Sequence, residues 1–266
     1  LSPQAPLSTS PTLRRELRIQ TIYSSLVIEG NKLDERAVSA IIDGKRVLGD
    51  RRDILEVENA RAAYDLISEL DPHSLADLLR VHRVMMDGLV PDAGRFRSGN
   101  VGVFNGDTLI HAGTPAAYVP EVMGDLFEWL RATRLHPLLA SCVFHFEFEF
   151  CHPFSDGNGR TGRLWHTLLL SRWRPVLAWV PIESAIRRRQ ADYYEALARS
   201  GANGSCESFV EFMLEAIRES ILPYAKPSSS QDMGRARVLA FLRDNPQSTV
   251  TQLSQYLGRS KRSAER

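Results

Sequence analysis

The chain has 266 residues, of which 43% are hydrophobic and 24% are charged, and this composition is typical of a globular protein with an ordinary core. Its 33 basic and 32 acidic residues give a formal net charge of +1, which excludes a global electrostatic attraction to nucleic acid or to an anionic membrane. No apolar run approaches the roughly 18 residues of a membrane span, so no membrane partner is expected. The three cysteines lack a zinc-binding spacing, which favours a reducing, cytoplasmic location.

Helical spacing dominates the first third of the chain. Residues 1–12 are rich in proline and serine, which predicts a flexible segment. Apolar residues then recur with a helical period over residues 13–28, and Gly30 is placed to end that helix in a left-handed conformation. Two more helices are predicted, over residues 54–70 and from the capping residue Ser74 to about residue 87.

The amino-acid composition changes in the middle of the chain. Residues 92–120 are rich in glycine, asparagine and proline, and Asn105-Gly106 separates two short apolar pieces. An Asn-Gly pair in this setting predicts a β-hairpin. An ordinary surface hairpin is the plain alternative to a functional one.

Helices return in the second half, with predicted ranges 119–134, 137–151, 158–173, 183–200 and 207–221. The second of these is ambiguous, because four phenylalanines alternate with polar residues as they would in a strand, whereas another set of apolar positions gives a helical face. The residue pattern leaves both interpretations open. The alternating residues are Phe144, Phe146, Phe148 and Phe150.

The C-terminal residues form a separate region by composition. Residues 223–233 predict a linker, and residues 234–266 resemble part of a winged-helix-like helix-turn-helix whose recognition helix is incomplete at residue 266. A modest basic cluster there fits a DNA partner, and a protein-binding or dimer module is the alternative. The cluster comprises Arg235, Arg237, Arg259, Lys261, Arg262 and Arg266.

The segment from residue 152 to residue 163, HPFSDGNGRTGR, concentrates the groups that phosphate chemistry needs. His152 provides a base that can be neutral at pH 7. Gly157 and Gly159 allow backbone N–H groups to approach an anion closely, and a helix beginning here adds its positive end. The segment therefore predicts an anion site beside a general base.

Charged side chains in the same segment complete that site. Arg160 and Arg163 are three residues apart, so both can face one side of a helix and donate to phosphate oxygens. Asp156 offers the kind of oxygen ligand that holds nucleotide-bound Mg²⁺. Each residue alone is ordinary; their joint occurrence at this spacing indicates a functional site.

A dinucleotide-binding site is the competing interpretation, because residues 157–162 also fit the GxGxxG pattern and Glu183 lies where a ribose-binding acid is expected. However, His152 and Pro153 interrupt the junction between a strand and the glycines. The chain also lacks the strand–helix alternation that builds a parallel sheet.

The segment resembles the HxFx(D/E)GNGRxxR signature of the Fic (Fido) family, and the resemblance extends over roughly residues 11–221. It implies an all-α Fic fold with a small β-hairpin flap, a core over residues 13–222 and a helix over residues 137–151. Gly94 to Arg97 and the hairpin resemble the flap region of the family. The matching signature residues are His152, Phe154, Asp156, Gly157, Asn158, Gly159, Arg160 and Arg163.

The resemblance implies a protein adenylyltransferase, which transfers AMP from ATP to a Ser, Thr or Tyr hydroxyl of a target protein. His152 would be the general base, and Asp156 would hold Mg²⁺. Phe154 would fix the loop. Gly157, Asn158 and Gly159 would form the anion hole, and Arg160 and Arg163 would hold the β- and γ-phosphates.

Two further sets of residues gain a role by resemblance. The flap would dock the target by strand pairing through Thr108, Leu109, Ile110 and His111. Tyr193 and Tyr194 lie where the family often contacts the adenine side of the nucleotide, with core packing as the alternative. Family helices often self-associate, so a homo-oligomer is compatible with the resemblance.

An N-terminal motif implies regulation. Residues 25–30, SLVIEG, match the family's inhibitory [ST]xxxE[GN] motif, with Ser25 and Glu29 at its key positions. Glu29 would pair with Arg163 and occupy the space of the ATP γ-phosphate. AMP removal from targets is compatible with the same glutamate. The alternative function is a DNA-binding regulator that uses the C-terminal helix-turn-helix, with the Fic core as a nucleotide sensor.

Overall fold

The structure, a computed structural model, describes residues 10–105 and 108–224 of the chain. The helices given below lie in one compact unit, Pro6–Pro223. None of the helices in the described ranges is long and apolar enough to cross a membrane. The predicted helix-turn-helix at residues 234–266, with most of the predicted linker and residues 1–9, lies outside the described residues.

The described ranges contain ten α-helices, two β-strands and four short 3₁₀-helices. The all-α class predicted for the core is thereby confirmed. The helices are α1 (Pro11–Ile28), α2 (Glu35–Ile42), α3 (Arg51–Asp65), α4 (Leu75–Met85), α5 (Val119–Ala132), α6 (Pro137–Cys151), α7 (Asn158–Trp173), α8 (Ile182–Arg188), α9 (Gln190–Asn203) and α10 (Glu207–Ile221).

Helix α1 is defined by its two ends. The side chain of Ser10 caps the first turn by accepting a hydrogen bond from the Leu13 N–H at 3.2 Å, and Pro11 occupies the first turn. The helix stops at Glu29, and Gly30 follows with a left-handed φ of 89°. This stop fixes Glu29 at the end of α1, next to the first turn of α7.

Helices α6 and α7 form the centre of the fold. The phenylalanine-rich segment is helical throughout α6, as the family resemblance implied. Phe144 and Phe148 are fully buried, and Phe127 of α5 contacts both Phe144 and Trp165 of α7 edge to face. This packing holds the end of α6 and the start of α7 on either side of residues 152–157.

Two features of the helices differ from the prediction. Helix α2 was not anticipated; it is short, with Asp34 capping it through a hydrogen bond from the Ala37 N–H at 2.7 Å. The helix predicted over residues 183–200 is two helices, α8 and α9, because the backbone leaves the helical region at Arg189, with φ −120° and ψ 38°.

The described strands, β1 (Gly102–Asn105) and β2 (Thr108–Ala112), pair antiparallel, with Val103 opposite His111. We call this β1–β2 hairpin the flap. No parallel sheet exists among the described residues, so the dinucleotide-binding alternative lacks its scaffold. Glu183 is a buried residue of α8 that accepts a hydrogen bond from Tyr64 at 3.0 Å, not a ribose ligand.

Candidate active site

His152 ends α6 in an unusual backbone conformation. Its φ of 51° and ψ of 61° lie in the left-handed region, and it is the only residue other than glycine with positive φ in the described part of the chain. A side chain with a Cβ enters this region only at an energetic cost, which the surroundings must offset. Burial lowers the pKa of the His152 imidazole, so the ring is neutral near pH 7.

Phe154 and Asn158 shape the connection between α6 and α7. The buried Phe154 ring stacks on the ring of His82 with centroids 3.6 Å apart. The Asn158 side chain accepts a hydrogen bond from the Phe154 N–H at 2.8 Å and donates one to the Phe154 carbonyl at 2.9 Å. The amide group of Asn158 therefore holds residues 154–158 in a closed turn through these two hydrogen bonds.

Replacing Asn158 with alanine is expected to lower the free energy of unfolding by about 1–3 kcal/mol, because both Phe154 backbone groups would be left buried without partners. Urea unfolding measures the change. Asn100→Ala is the matched control, since the exposed Asn100 accepts one hydrogen bond, from Ala116 N–H at 2.9 Å, and should cost less. Equal losses in the two variants would contradict the role given to Asn158.

Gly157 opens α7 in a conformation that suits glycine. Its φ is 83°, and a Cβ added there would lie 2.5 Å from the Met86 sulfur. The first backbone N–H groups of any helix lack an acceptor within the helix, so the start of α7 is a ready site for an anion. The Gly157 N–H itself donates to the Asp156 carboxylate at 2.6 Å.

A cluster of charges surrounds Asp156. Arg160, which is buried, donates to one Asp156 oxygen at 2.8 Å and lies 3.2 Å from a carboxylate oxygen of Glu56. Arg52 donates to the other Asp156 oxygen at 3.3 Å. Sequence reasoning missed Glu56 and Arg52, because charged residues on a helix are usually solvated and no spacing distinguishes these two.

Arg163 is held by the end of α1. Its guanidinium donates to the Ser25 hydroxyl and to the Ser25 carbonyl, both at 3.0 Å, and to a carboxylate oxygen of Glu29 at 2.8 Å. Burial acts to lower the pKa of Arg163, but the charge and hydrogen bond of Glu29, together with Tyr193 and Glu149, outweigh burial and raise the pKa, so Arg163 stays a cation. The pair predicted between Glu29 and Arg163 is thus present in the structure.

The Glu29 carboxylate also lies against the start of α7. A Cβ added to Gly159 would stand only 2.4 Å from a Glu29 carboxylate oxygen, so the glycine leaves the space that the carboxylate fills. A carboxylate beside an arginine at a helix N-terminus stands where the phosphate oxygens of a ligand would bind.

The remaining predicted residues are placed as follows. Tyr193 is buried in the core, with its hydroxyl 3.3 Å from the His145 ring, and its contact with a nucleotide stays a prediction. Tyr194 is half-buried. The four flap residues predicted to dock a target form most of β2; their docking role stays a prediction.

His82 and Arg97 complete the site without having been identified as site residues. The Gly94 N–H donates to Nδ1 of His82 at 2.9 Å, so Nε2 carries the proton and donates to the Asp156 carbonyl at 2.9 Å. Burial lowers the pKa of His82 to about 4, which keeps this bridge neutral. Arg97 donates to the His152 carbonyl at 2.7 Å.

Among the described residues, the donors around Asp156 suit a Mg²⁺ ion that phosphate groups also hold, and they form no independent metal centre. No group of three or more His, Cys, Asp or Glu side chains in the described ranges could hold a metal ion. Asp156 is a single carboxylate, 38% exposed, at the start of an anion site. Mg²⁺ commonly takes one or two carboxylates and completes its coordination with phosphates and water.

Comparison with known proteins places this site in context. The sequence profile of the Fic/DOC family matches residues 72–170. A crystal structure of a Fic family protein from Desulfovibrio desulfuricans G20 superposes with a TM-score of 0.78 at 47% identity, covering 94% of this chain and 77% of that one.

Two curated relatives carry an activity in their names. The sequence is 27% identical over 246 residues to "Protein adenylyltransferase Fic" of Nematostella vectensis, covering 87% of this chain and 55% of the relative. It is 30% identical over 239 residues to "Protein adenylyltransferase fic-1" of Caenorhabditis elegans, covering 82% and 44%. The chain thus spans about half the length of these relatives.

Proposed function

The chain belongs to the Fic family, and on that premise we propose that it transfers AMP from ATP to a hydroxyl side chain of a target protein. One observation carries the proposal: residues 152–157 join a neutral, partly buried imidazole to a helix N-terminus flanked by two buried arginines. A base and an anion site at the two ends of one rigid loop are what in-line attack on a phosphate requires.

In the proposed reaction, the His152 imidazole takes the proton of the target hydroxyl as its oxygen attacks the α-phosphorus of ATP. A new bond forms between that oxygen and the α-phosphorus, the bond from the α-phosphorus to the bridging oxygen breaks, and pyrophosphate leaves. The start of α7 with Arg160 and Arg163 would stabilise the negative charge on the phosphates. Catalysis then rests on positioning and charge.

Asp156 would hold the Mg²⁺ that accompanies ATP, and bound Mg²⁺ would neutralise charge on the phosphates. The Asp156 carboxylate is partly exposed, and Arg52, its partner at 3.3 Å, has a side chain that is 56% exposed. Arg52 can therefore turn away from Asp156 without leaving a buried charge. This supports access of a cation to the carboxylate.

Glu29 would inhibit the reaction by occupying the place of the γ-phosphate. Its carboxylate repels phosphate and keeps Arg163 from the nucleotide. Ser25 supports the same arrangement by accepting a hydrogen bond from Nε of Arg163. Removal of AMP from targets, assisted by this glutamate, is part of the proposal.

The target protein would dock on the flap, where an extended segment can add to the β2 strand. This would bring its hydroxyl to His152.

Cys142, Cys151 and Cys206, all free thiols, fit a proposed location in a reducing compartment such as the cytoplasm.

The rate of AMP transfer is expected to fall at acid pH with a midpoint below 6.5, the ordinary pKa of histidine, because burial lowers the pKa of His152. A general base acts only when neutral, so activity is lost as the pH falls through this lowered pKa. A pH–rate profile of the Glu29→Gly variant measures the midpoint.

Glu149 supplies the control for that profile. Its carboxyl lies near His152, and burial raises its pKa to about 7. Below pH 6.5 this carboxyl is therefore mostly protonated and carries little charge, so Glu149→Gln should leave the midpoint of His152 nearly unchanged. A midpoint at or above 6.5, or a shift to higher pH in Glu149→Gln, would contradict His152 as the base.

The reaction type is tested with two labels. The Glu29→Gly protein is incubated with Mg²⁺ and with ATP labelled at either the α- or the γ-phosphate. Label from the α-position should enter protein and label from the γ-position should not. Incorporation of the γ-label would show phosphate transfer and overturn the proposed function.

A further inference from the structure

The side chain of Arg97, which precedes the flap in the sequence, donates hydrogen bonds to the end of α6 and to the loop that follows. It is only 4% exposed, and its Nε donates to the His152 carbonyl at 2.7 Å. Nη2 donates to the Cys151 carbonyl at 3.3 Å, and the Arg97 backbone N–H donates to the Pro153 carbonyl at 3.0 Å. One arginine thus holds three consecutive residues, the last residue of α6 and the first two of the loop that follows.

The same guanidinium holds both ends of the flap. Nη1 donates to the Gly99 carbonyl, before β1, at 2.8 Å, and Nη2 donates to the Thr114 carbonyl, after β2. All four of these side-chain hydrogen bonds end on backbone carbonyls. A planar guanidinium, with several donors in fixed directions, suits carbonyls that converge from different segments.

Gly113, which follows β2 of the flap, lies directly against Arg97 and His152. A Cβ added to Gly113 would stand 3.0 Å from Nη2 of Arg97 and 3.4 Å from the Cβ of His152. His152 itself is in the left-handed conformation, with φ 51°. Because that conformation is unfavourable for histidine, contacts to its backbone must maintain it. The hydrogen bond from Arg97 to the His152 carbonyl is such a contact.

We propose that Arg97 is a positioning residue that holds the His152 imidazole in its left-handed setting at a fixed place relative to the flap. This inference rests on the proposed function, because its consequence is that a target hydroxyl held on the flap meets the base. The hydrogen bonds of Arg97 to residues 99, 114 and 151–153 reach neither the start of α7 nor Arg163, so ATP binding should not depend on Arg97.

The test is Arg97→Lys in the Glu29→Gly background. Lysine keeps the positive charge but cannot reproduce the fork. We expect the rate of AMP incorporation to fall by about 100-fold, as misplacement of a catalytic group by about 1 Å does. The dissociation constant for ATP should change by less than about twofold, because a tenfold change would need loss of a phosphate contact.

Arg172→Lys in the same background is the matched control. Arg172 donates to the backbone carbonyls of Ile67 and Ser68, at 3.3 and 3.4 Å, and to that of Leu70, away from His152. It should leave both the rate and the ATP affinity unchanged. A drop in rate equal to that of Arg97→Lys would mean that loss of any such arginine is sufficient, and would overturn the proposal.

A readout that needs no activity separates this inference from the proposed function. Proteins carrying ¹³C-labelled histidine rings are compared by NMR, and the His152 signal is assigned by its loss in His152→Asn. The signal should shift or broaden in Arg97→Lys and stay unchanged in Arg172→Lys. An unchanged His152 signal in Arg97→Lys would overturn the positioning role, even if the parent transfers no AMP and the proposed function has failed.

Stability is checked alongside. Circular dichroism should show the same helical content in Arg97→Lys as in the parent. Loss of the helical fold would also overturn the proposal, because Arg97 would then serve the stability of the whole unit. Parallel losses of rate and ATP affinity would lead to the same conclusion.

Discussion

Replacing Glu29 with glycine is expected to raise the rate of AMP incorporation at limiting ATP by about 10- to 100-fold. The carboxylate has no part in the proposed AMP transfer; it accepts a hydrogen bond from Arg163 at 2.8 Å and lies against Gly159. A hydrogen bond to a charged group contributes about 1.5–3 kcal/mol, and about 1.4 kcal/mol is a factor of ten. When Arg163 is released from Glu29 and binds the γ-phosphate, ATP binding should gain a free energy of about that size.

The substitution is mild for the fold, because Glu29 is the C-terminal cap of α1 and its φ is −89°, outside the helix proper. Incorporation of α-labelled ATP measures the rate. Glu16→Gln on the exposed side of the same helix is the control for charge removal and should leave the rate unchanged. Equal rates in Glu29→Gly and the parent chain would contradict inhibition by this carboxylate.

Replacing His152 with alanine in the Glu29→Gly background is expected to lower AMP incorporation by about 100- to 10,000-fold, the range of general-base catalysis. ATP affinity should persist, because the start of α7 and Arg163 are intact. A parallel binding titration with ATP separates loss of chemistry from loss of the nucleotide.

His73→Ala is the matched control for His152→Ala. His73 is exposed, with a side chain that is 46% accessible, and its ring faces Asp71 away from the loop. It should retain the full rate. Comparable incorporation in the His152 and His73 variants would exclude His152 as the base and with it the proposed mechanism.

The contacts within the signature segment could be predicted because they are local. His152 to Arg163 spans one loop and the first turns of α7, so sequence spacing alone places the base, the glycines and the arginines together. The start of α7 at Asn158 was predicted correctly, and so was the stop at Gly30. Glycine, proline and capping residues carry local information about backbone conformation.

Long-range contacts were not visible in the sequence pattern. Glu29 and Arg163 are 134 positions apart, and only family resemblance linked them. Arg97 and His82 act through backbone carbonyls and amides, which carry no residue-specific signal. Asn158 has a role in closing the loop that its motif position did not reveal. Side-chain contacts to the backbone across the fold depend on packing, which periodicity does not encode.

The prediction of helix boundaries was wrong where no glycine, proline or capping residue marked the end of a helix. The break between α8 and α9 falls at Arg189, a residue that neither caps nor breaks a helix by its type. The ambiguity of the phenylalanine-rich segment had a similar cause, since both faces of α6 are apolar and nine of its residues are buried. A helix buried on most sides loses the period that would identify it.

The most direct test of the account is mass spectrometry of a cell lysate treated with ATP, Mg²⁺ and the Glu29→Gly protein. We expect the mass of an AMP group on a Ser, Thr or Tyr of a defined peptide, and its absence when the added protein also carries His152→Ala. AMP-bearing peptides at the same level with both proteins, or none with the Glu29→Gly protein, would contradict the account.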